Sequence, residues 1–166
     1  MKRFLLFTLF ALFSILPVFA QTPMVRPEDF RPLTGDRWTG TLVYLDYRTN
    51  KETSIPSQLT VREVNGDKLT WIFEYEYPDE PKANSNTMVK LTTDGTSIDD
   101  ERVIARDTLD GGVLRLVTER RGKDNNVDAL IRYQYLISKS SFSIKKEVQP
   151  EGSSKFFERN RYIWRR

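Results

Sequence analysis

The sequence predicts an all-β fold, an antiparallel up-and-down meander of about eight to ten strands closed into a barrel. Two observations carry this. Runs rich in β-branched and aromatic residues recur along the chain, separated by short Gly/Asn/Asp turns. No long segment has the i, i+3, i+4 apolar spacing of a helix.

Residues 1–20, MKRFLLFTLFALFSILPVFA, begin with Lys2 and Arg3, continue as an apolar run and end Val18-Phe19-Ala20. That order is a secretory signal peptide cleaved after Ala20. It implies a secreted or periplasmic protein with no stable membrane anchor after cleavage. A retained anchor is the alternative, but the apolar run is short for a span of roughly 20 residues. Residues 21–36 read as an N-terminal arm or linker, holding Pro23, Pro27 and Pro32 and little periodicity. Phe30 and Leu33 are the side chains available to pin it.

The barrel domain is expected over residues 37–166. Its runs are 37–48, 53–64, 68–77, 87–94, 97–109, 113–121, 127–138, 142–149 and 155–166. Asn65-Gly66-Asp67 and Asp110-Gly111-Gly112 mark tight hairpins, because Asn and Gly accept positive φ. Pro56 points to an edge or a bulge. The run 97–109 has a helical alternative, since Asp99, Asp100 and Glu101 could cap a short helix. Sequential hairpins make a meander, and closing it removes exposed sheet edges. A β-sandwich is the competing architecture, but it needs longer crossovers.

The chain has 26 basic and 23 acidic residues, and removing Lys2 and Arg3 with the leader leaves 24 against 23. Such a balance gives no reason to expect nucleic acid as a partner. The sequence contains neither Cys nor His. Disulfides, a lipid-modified cysteine, His/Cys zinc sites, Cys nucleophiles and a Ser-His-Asp triad are all excluded. No catalytic constellation, metal site or cofactor is expected, and the chain reads as a non-enzyme.

The start of the barrel, Gly35-Asp36-Arg37-Trp38, is one residue longer than the Gly-x-Trp with which lipocalins open their first strand. The chain therefore resembles the calycin group of lipocalins and fatty-acid-binding proteins. It is nearest to nitrobindin-like barrels and small bacterial secreted lipocalin-like domains of unknown function. The resemblance implies a calycin-like barrel, with an Arg of the last strand packed across the Trp. Arg159 and Arg161 lie in the right region, so Trp38, Arg159 and Arg161 are assigned to barrel closure. Two features depart from the lipocalin pattern. Thr93-Asp94 is followed by Gly95 rather than Tyr, and no helix follows the last strands. The haem that nitrobindin-like proteins hold through a His is not implied here.

The candidate ligand-binding residues are Tyr44, Trp71, Tyr75, Arg115, Arg132, Tyr133 and Tyr135. Inward aromatic faces would give a lumen that suits a small amphipathic molecule, the rings supplying area and the hydroxyls orientation. An inward Arg115 or Arg132 would hold an anionic group by paired hydrogen bonds. Two alternatives stand beside this. The rings could fill the interior completely, since a barrel of about eight strands is barely wide enough for one small ligand. The arginines could lie on a solvated outer face. Glu74 and Glu76 alternate outward, away from paired-acid chemistry. Asp124-x-Asn126-x-Asp128 is better explained by a hairpin turn than by a calcium loop. The expected function is thus a secreted small-molecule-binding barrel, with a filled-core structural or protein-interaction domain as the alternative. No protein partner is assigned.

Overall fold

The computed structural model describes residues 22–35 and 37–166, so the expected signal peptide lies outside the described residues. Ten strands follow one another: β1 (Trp38–Leu45), β2 (Glu52–Val64), β3 (Asp67–Glu76), β4 (Ser85–Lys90), β5 (Ser97–Ile98), β6 (Glu101–Leu109), β7 (Val113–Asp124), β8 (Val127–Ile137), β9 (Ser141–Pro150) and β10 (Phe157–Arg165). They form one sheet in the order β4-β3-β2-β1-β10-β9-β8-β7-β6-β5. Every neighbour is consecutive in the chain except β1 and β10, which pair antiparallel. An antiparallel bridge between Leu91 and Ile98 joins the two ends of the sheet and nearly closes a barrel.

The run 97–109 is extended, not helical, but it breaks into two strands. Asp99 takes a left-handed φ of 52° there and turns the chain between β5 and β6. The other turns follow the sequence signals, with Gly66 and Gly111 at φ of 79° and 74°.

Alternation sorts the side chains. Trp38, Leu59, Trp71, Phe73, Leu116, Ile137, Phe142 and Trp164 are fully or almost fully buried inside. The outer face carries a ladder of ion pairs, Arg132 with Glu119 at 2.5 Å and Lys145 with Glu147 at 2.8 Å among them. A lipid-facing barrel wall would present an apolar band there instead.

Gly40 is dictated by packing. It faces Trp164 across the β1–β10 pair, and a Cβ on it would stand 1.8 Å from the Ile163 carbonyl oxygen. The bare backbone lets the Trp164 indole pass over β1 and donate to the Ser57 hydroxyl of β2 at 3.3 Å.

One end of the barrel is stoppered by the chain's own arm. α1 (Pro27–Phe30) and a following 3-10 turn (Arg31–Leu33) replace the extended path expected there. Pro27 stands at the first helical turn, where its missing N–H costs nothing, and the Asp29 carboxylate accepts from the Arg26 backbone N–H at 2.9 Å. Phe30 is fully buried, its ring 5.2 Å from Trp71 and 6.3 Å from Phe73. Leu33 is equally buried, and burying each such side chain contributes about 1.5–3 kcal/mol. Asp29 accepts two hydrogen bonds from Arg106 of β6, at 2.9 and 2.7 Å, fixing the stopper to the wall.

Candidate ligand site

From the stopper toward the open mouth, the interior changes character. The deep half is packed by Phe30, Trp71, Phe73, Phe142 and Trp164, with Phe142 and Trp164 stacked at 5.4 Å. Above them lie tyrosines. Tyr75 of β3 packs 5.5 Å from Tyr162 of β10, and Tyr162 stacks on Trp164 at 4.8 Å. The Tyr77 and Tyr162 hydroxyls share a hydrogen bond of 2.7 Å. Tyr133 pairs across to Lys146, and Tyr135 across to Ile144, so both tyrosines share the inward face with that buried isoleucine. Burial pushes the phenols of Tyr75, Tyr133, Tyr135 and Tyr162 upward, so all stay protonated donors at neutral pH.

Tyr75, Tyr133 and Tyr162 face inward yet are only half-buried. At the mouth a cavity of about 320 Å³ is lined by Leu42, Tyr44, Ile55, Tyr77, Glu80, Ala83, Arg159 and Asn160. A wider groove of about 680 Å³ runs along the β7–β8 hairpin and the β9–β10 turn, but it borders none of the lumen tyrosines. The mouth cavity is the better candidate, because β1, β2 and β10 direct inward-facing side chains into it.

Charged groups ring the mouth. The Glu101 carboxyl of β6 accepts from the Thr118 hydroxyl at 2.6 Å and lies 3.7 Å from Arg120. Burial outweighs both contacts and pushes Glu101 up to about 7. Further along β7 from Arg120, Asp124 accepts from Lys146 of β9 at 2.8 Å and from the Tyr47 hydroxyl at 2.6 Å. Burial alone would raise the Asp124 carboxyl, but Lys146 and Tyr47 together hold it below its ordinary value. Tyr47 belongs to the β1–β2 turn, so it reaches over β10, β9 and β8 to touch β7. Beneath it, Arg159 lies with its guanidinium 3.1 Å from the centre of the Tyr47 ring and donates to the Leu45 carbonyl.

Of the expected ligand residues, Tyr44, Tyr75, Tyr133 and Tyr135 face the lumen, and Tyr44 borders the mouth cavity. Trp71 is inward but lies behind Phe30, in the filled half. Arg115 and Arg132 do not face the lumen. Leu114, Leu116 and Thr118 take the inward positions of β7, and Ile131, Tyr133 and Tyr135 those of β8. The arginines between them alternate outward, Arg115 onto Asp107 at 2.6 Å and Arg132 onto Glu119 and the Phe156 ring.

Barrel closure also falls to a different arginine. Arg166, not Arg159 or Arg161, lies over Trp38, 4.3 Å from the ring centre. Thr39 pairs with Arg165, so Trp38 is level with the end of β10. Arg161 and Arg159 lie several residues up the strand, at about 3.3 Å each. Arg161 points outward to Glu158 at 2.8 Å. Arg159 sits where the β9–β10 register slips between Glu158 and Asn160, and this bulge turns it into the mouth. Tyr47, Glu101, Arg120, Asp124, Lys146 and Tyr162 were not among the expected ligand residues. The inward parity of Arg120 and Lys146 was readable from the alternation of their strands.

No protein-family model matches the chain. No curated protein matches it either. Among solved structures, the crystal structure of Rv2717c from M. tuberculosis is similar at 12% identity and a TM-score of 0.49, covering 87% of this chain and 99% of that one.

Proposed function

We propose that this protein is a secreted or periplasmic calycin-like barrel that binds a small apolar or amphipathic molecule in the open half of its lumen, without catalysis. The observation that carries the reading is the gradient of the interior. Rings close the stoppered half, while Tyr75, Tyr133 and Tyr162 remain half-buried above them and a cavity of about 320 Å³, walled in part by Tyr44 and Tyr77, opens at the mouth. A cavity of that size lies at the small end of ligand pockets, which run from about 300 to 1,000 Å³. The Arg166–Trp38 contact supports the calycin-like part of the reading. The leader of residues 1–20 supports export.

The test is native mass spectrometry of protein purified from its own periplasm or medium, followed by titration with decanol. A co-purifying small molecule, or quenching of tryptophan fluorescence by decanol that weakens in Tyr162→Ala, is expected. A clean apo mass together with no response to decanol would overturn the reading in favour of a structural or protein-interaction domain.

A further inference from the structure

Arg159 and Lys146 are two of the cations that the fold turns into the mouth, Arg159 in the wall of the cavity and Lys146 on the inward face of β9. Arg159 is 7% exposed and Lys146 has a side chain 18% exposed. Buried cations need a counter-charge. Here the chain supplies it from within: Asp124 lies 2.8 Å from the Lys146 ammonium and 4.0 Å from the Arg159 guanidinium. The Tyr47 hydroxyl then ties the same carboxylate to the β1–β2 turn, and the Tyr47 ring covers Arg159. Arg159 also lines the mouth cavity with Tyr44 and Asn160.

We propose that Asp124 occupies the place of a ligand's own carboxylate, so that a monoanionic amphiphile enters by displacing Asp124 from Lys146 and Arg159 and releasing Tyr47 from the mouth. This rests on the small-molecule-binding reading and adds the ligand's charge and an internal competitor. The chain portion of such a ligand lies against Leu42, Tyr44 and Ile55. Its carboxylate meets the two cations with charge-assisted hydrogen bonds.

The test compares decanoate with decanol by isothermal titration calorimetry at pH 7.5, in the wild-type chain, Asp124→Asn, Tyr47→Phe and Asp128→Asn. Asp128 lies on the same hairpin, exposed and paired with Lys123 at 2.9 Å, so its variant makes the same change in net charge away from the site. Asp124→Asn removes the competitor and binds decanoate roughly tenfold tighter, with decanol and Asp128→Asn unchanged. Tyr47→Phe tightens decanoate roughly threefold by loosening the latch. It decides the matter should Asp124→Asn fail to fold by circular dichroism. Equal affinities in all four proteins, with decanol still bound, overturn the latch and leave the binding reading standing. An equal gain in Asp124→Asn and Asp128→Asn also overturns it, since net charge alone then explains the change. If neither probe binds any variant, the binding reading and the latch fall together.

Discussion

The Arg166 guanidinium lies 4.3 Å from the centre of the Trp38 ring and donates to the Thr34 and Pro32 carbonyls at 3.2 and 2.7 Å. One end of the last strand thus clasps the first residue of β1 and the chain leading into it. Trp38 is fully buried and donates from its indole to the Leu33 carbonyl at 2.8 Å. Trp38→Ala should cost about 3–5 kcal/mol and Arg166→Ala about 1 kcal/mol, measured by urea denaturation. The double variant should lose less than the sum, because the two residues share one contact. Strict additivity would show that the clasp contributes nothing of its own.

The stopper makes a second prediction. Phe30→Ala leaves a void among Trp71, Phe73 and Tyr135 and should cost about 3–5 kcal/mol. Asp29→Asn leaves Phe30 in place but breaks the paired bond to Arg106. Its signature should be local: faster hydrogen exchange of the Val25 amide, which donates to the Gly95 carbonyl at 2.9 Å, with strand amides unchanged. Uniform acceleration across the strands would mean that the arm is an integral part of the cooperative unit.

Gly40 should tolerate nothing larger. The Ile163 carbonyl would lie 1.8 Å from an added Cβ, and that oxygen belongs to the neighbouring backbone, so relief requires moving a strand. Gly40→Ala is expected to destabilise the barrel by roughly 3 kcal/mol or more, read by thermal melting. A variant melting within a few degrees of the wild type would show that the β1–β10 pair is looser than its packing implies.

Glu101 makes stability depend on pH. Its folded carboxyl is pushed up to about 7, against an ordinary value of 4.5 when unfolded. Between those values the folded state holds the proton and the unfolded state has released it. Stability therefore declines as pH rises from about 4.5 to about 7, by on the order of 3 kcal/mol, and flattens above that window. Glu101→Gln should remove the decline in urea midpoints collected across it. An unchanged slope would place its origin in another group.

Much of the barrel was legible because period-two alternation and turn chemistry act locally. Strand β3, with Trp71, Phe73 and Tyr75 alternating between Asn65-Gly66 and a polar loop, could be read residue by residue. The same rule, applied to β7 and β8, turns Arg115 and Arg132 outward, since the apolar neighbours that alternate with them claim the inside. What stayed hidden depends on distance along the chain. A bulge at Arg159 has no local signature, yet it reverses where that side chain points. The choice of Arg166 over Arg161 rests on the β1–β10 register, which relates residues more than a hundred positions apart. The helical turn at Pro27–Phe30 is held by Asp29 and Arg106, a tertiary contact that no local propensity announces.

The pairing of Thr39 with Arg165 and of Tyr44 with Asn160 also sets an order in time. During synthesis the partner of the first strand emerges only after the eight strands between them. Until residues 157–165 emerge, β1 and β9 each offer an open edge to any other extended chain. Contacts so remote in sequence fold slowly, because the loop entropy is lost before the pairing returns anything. A nascent chain of this protein is thus most vulnerable to aggregation while β9 is out and β10 is not, and the Gly40 seam is the joint whose formation ends that exposure.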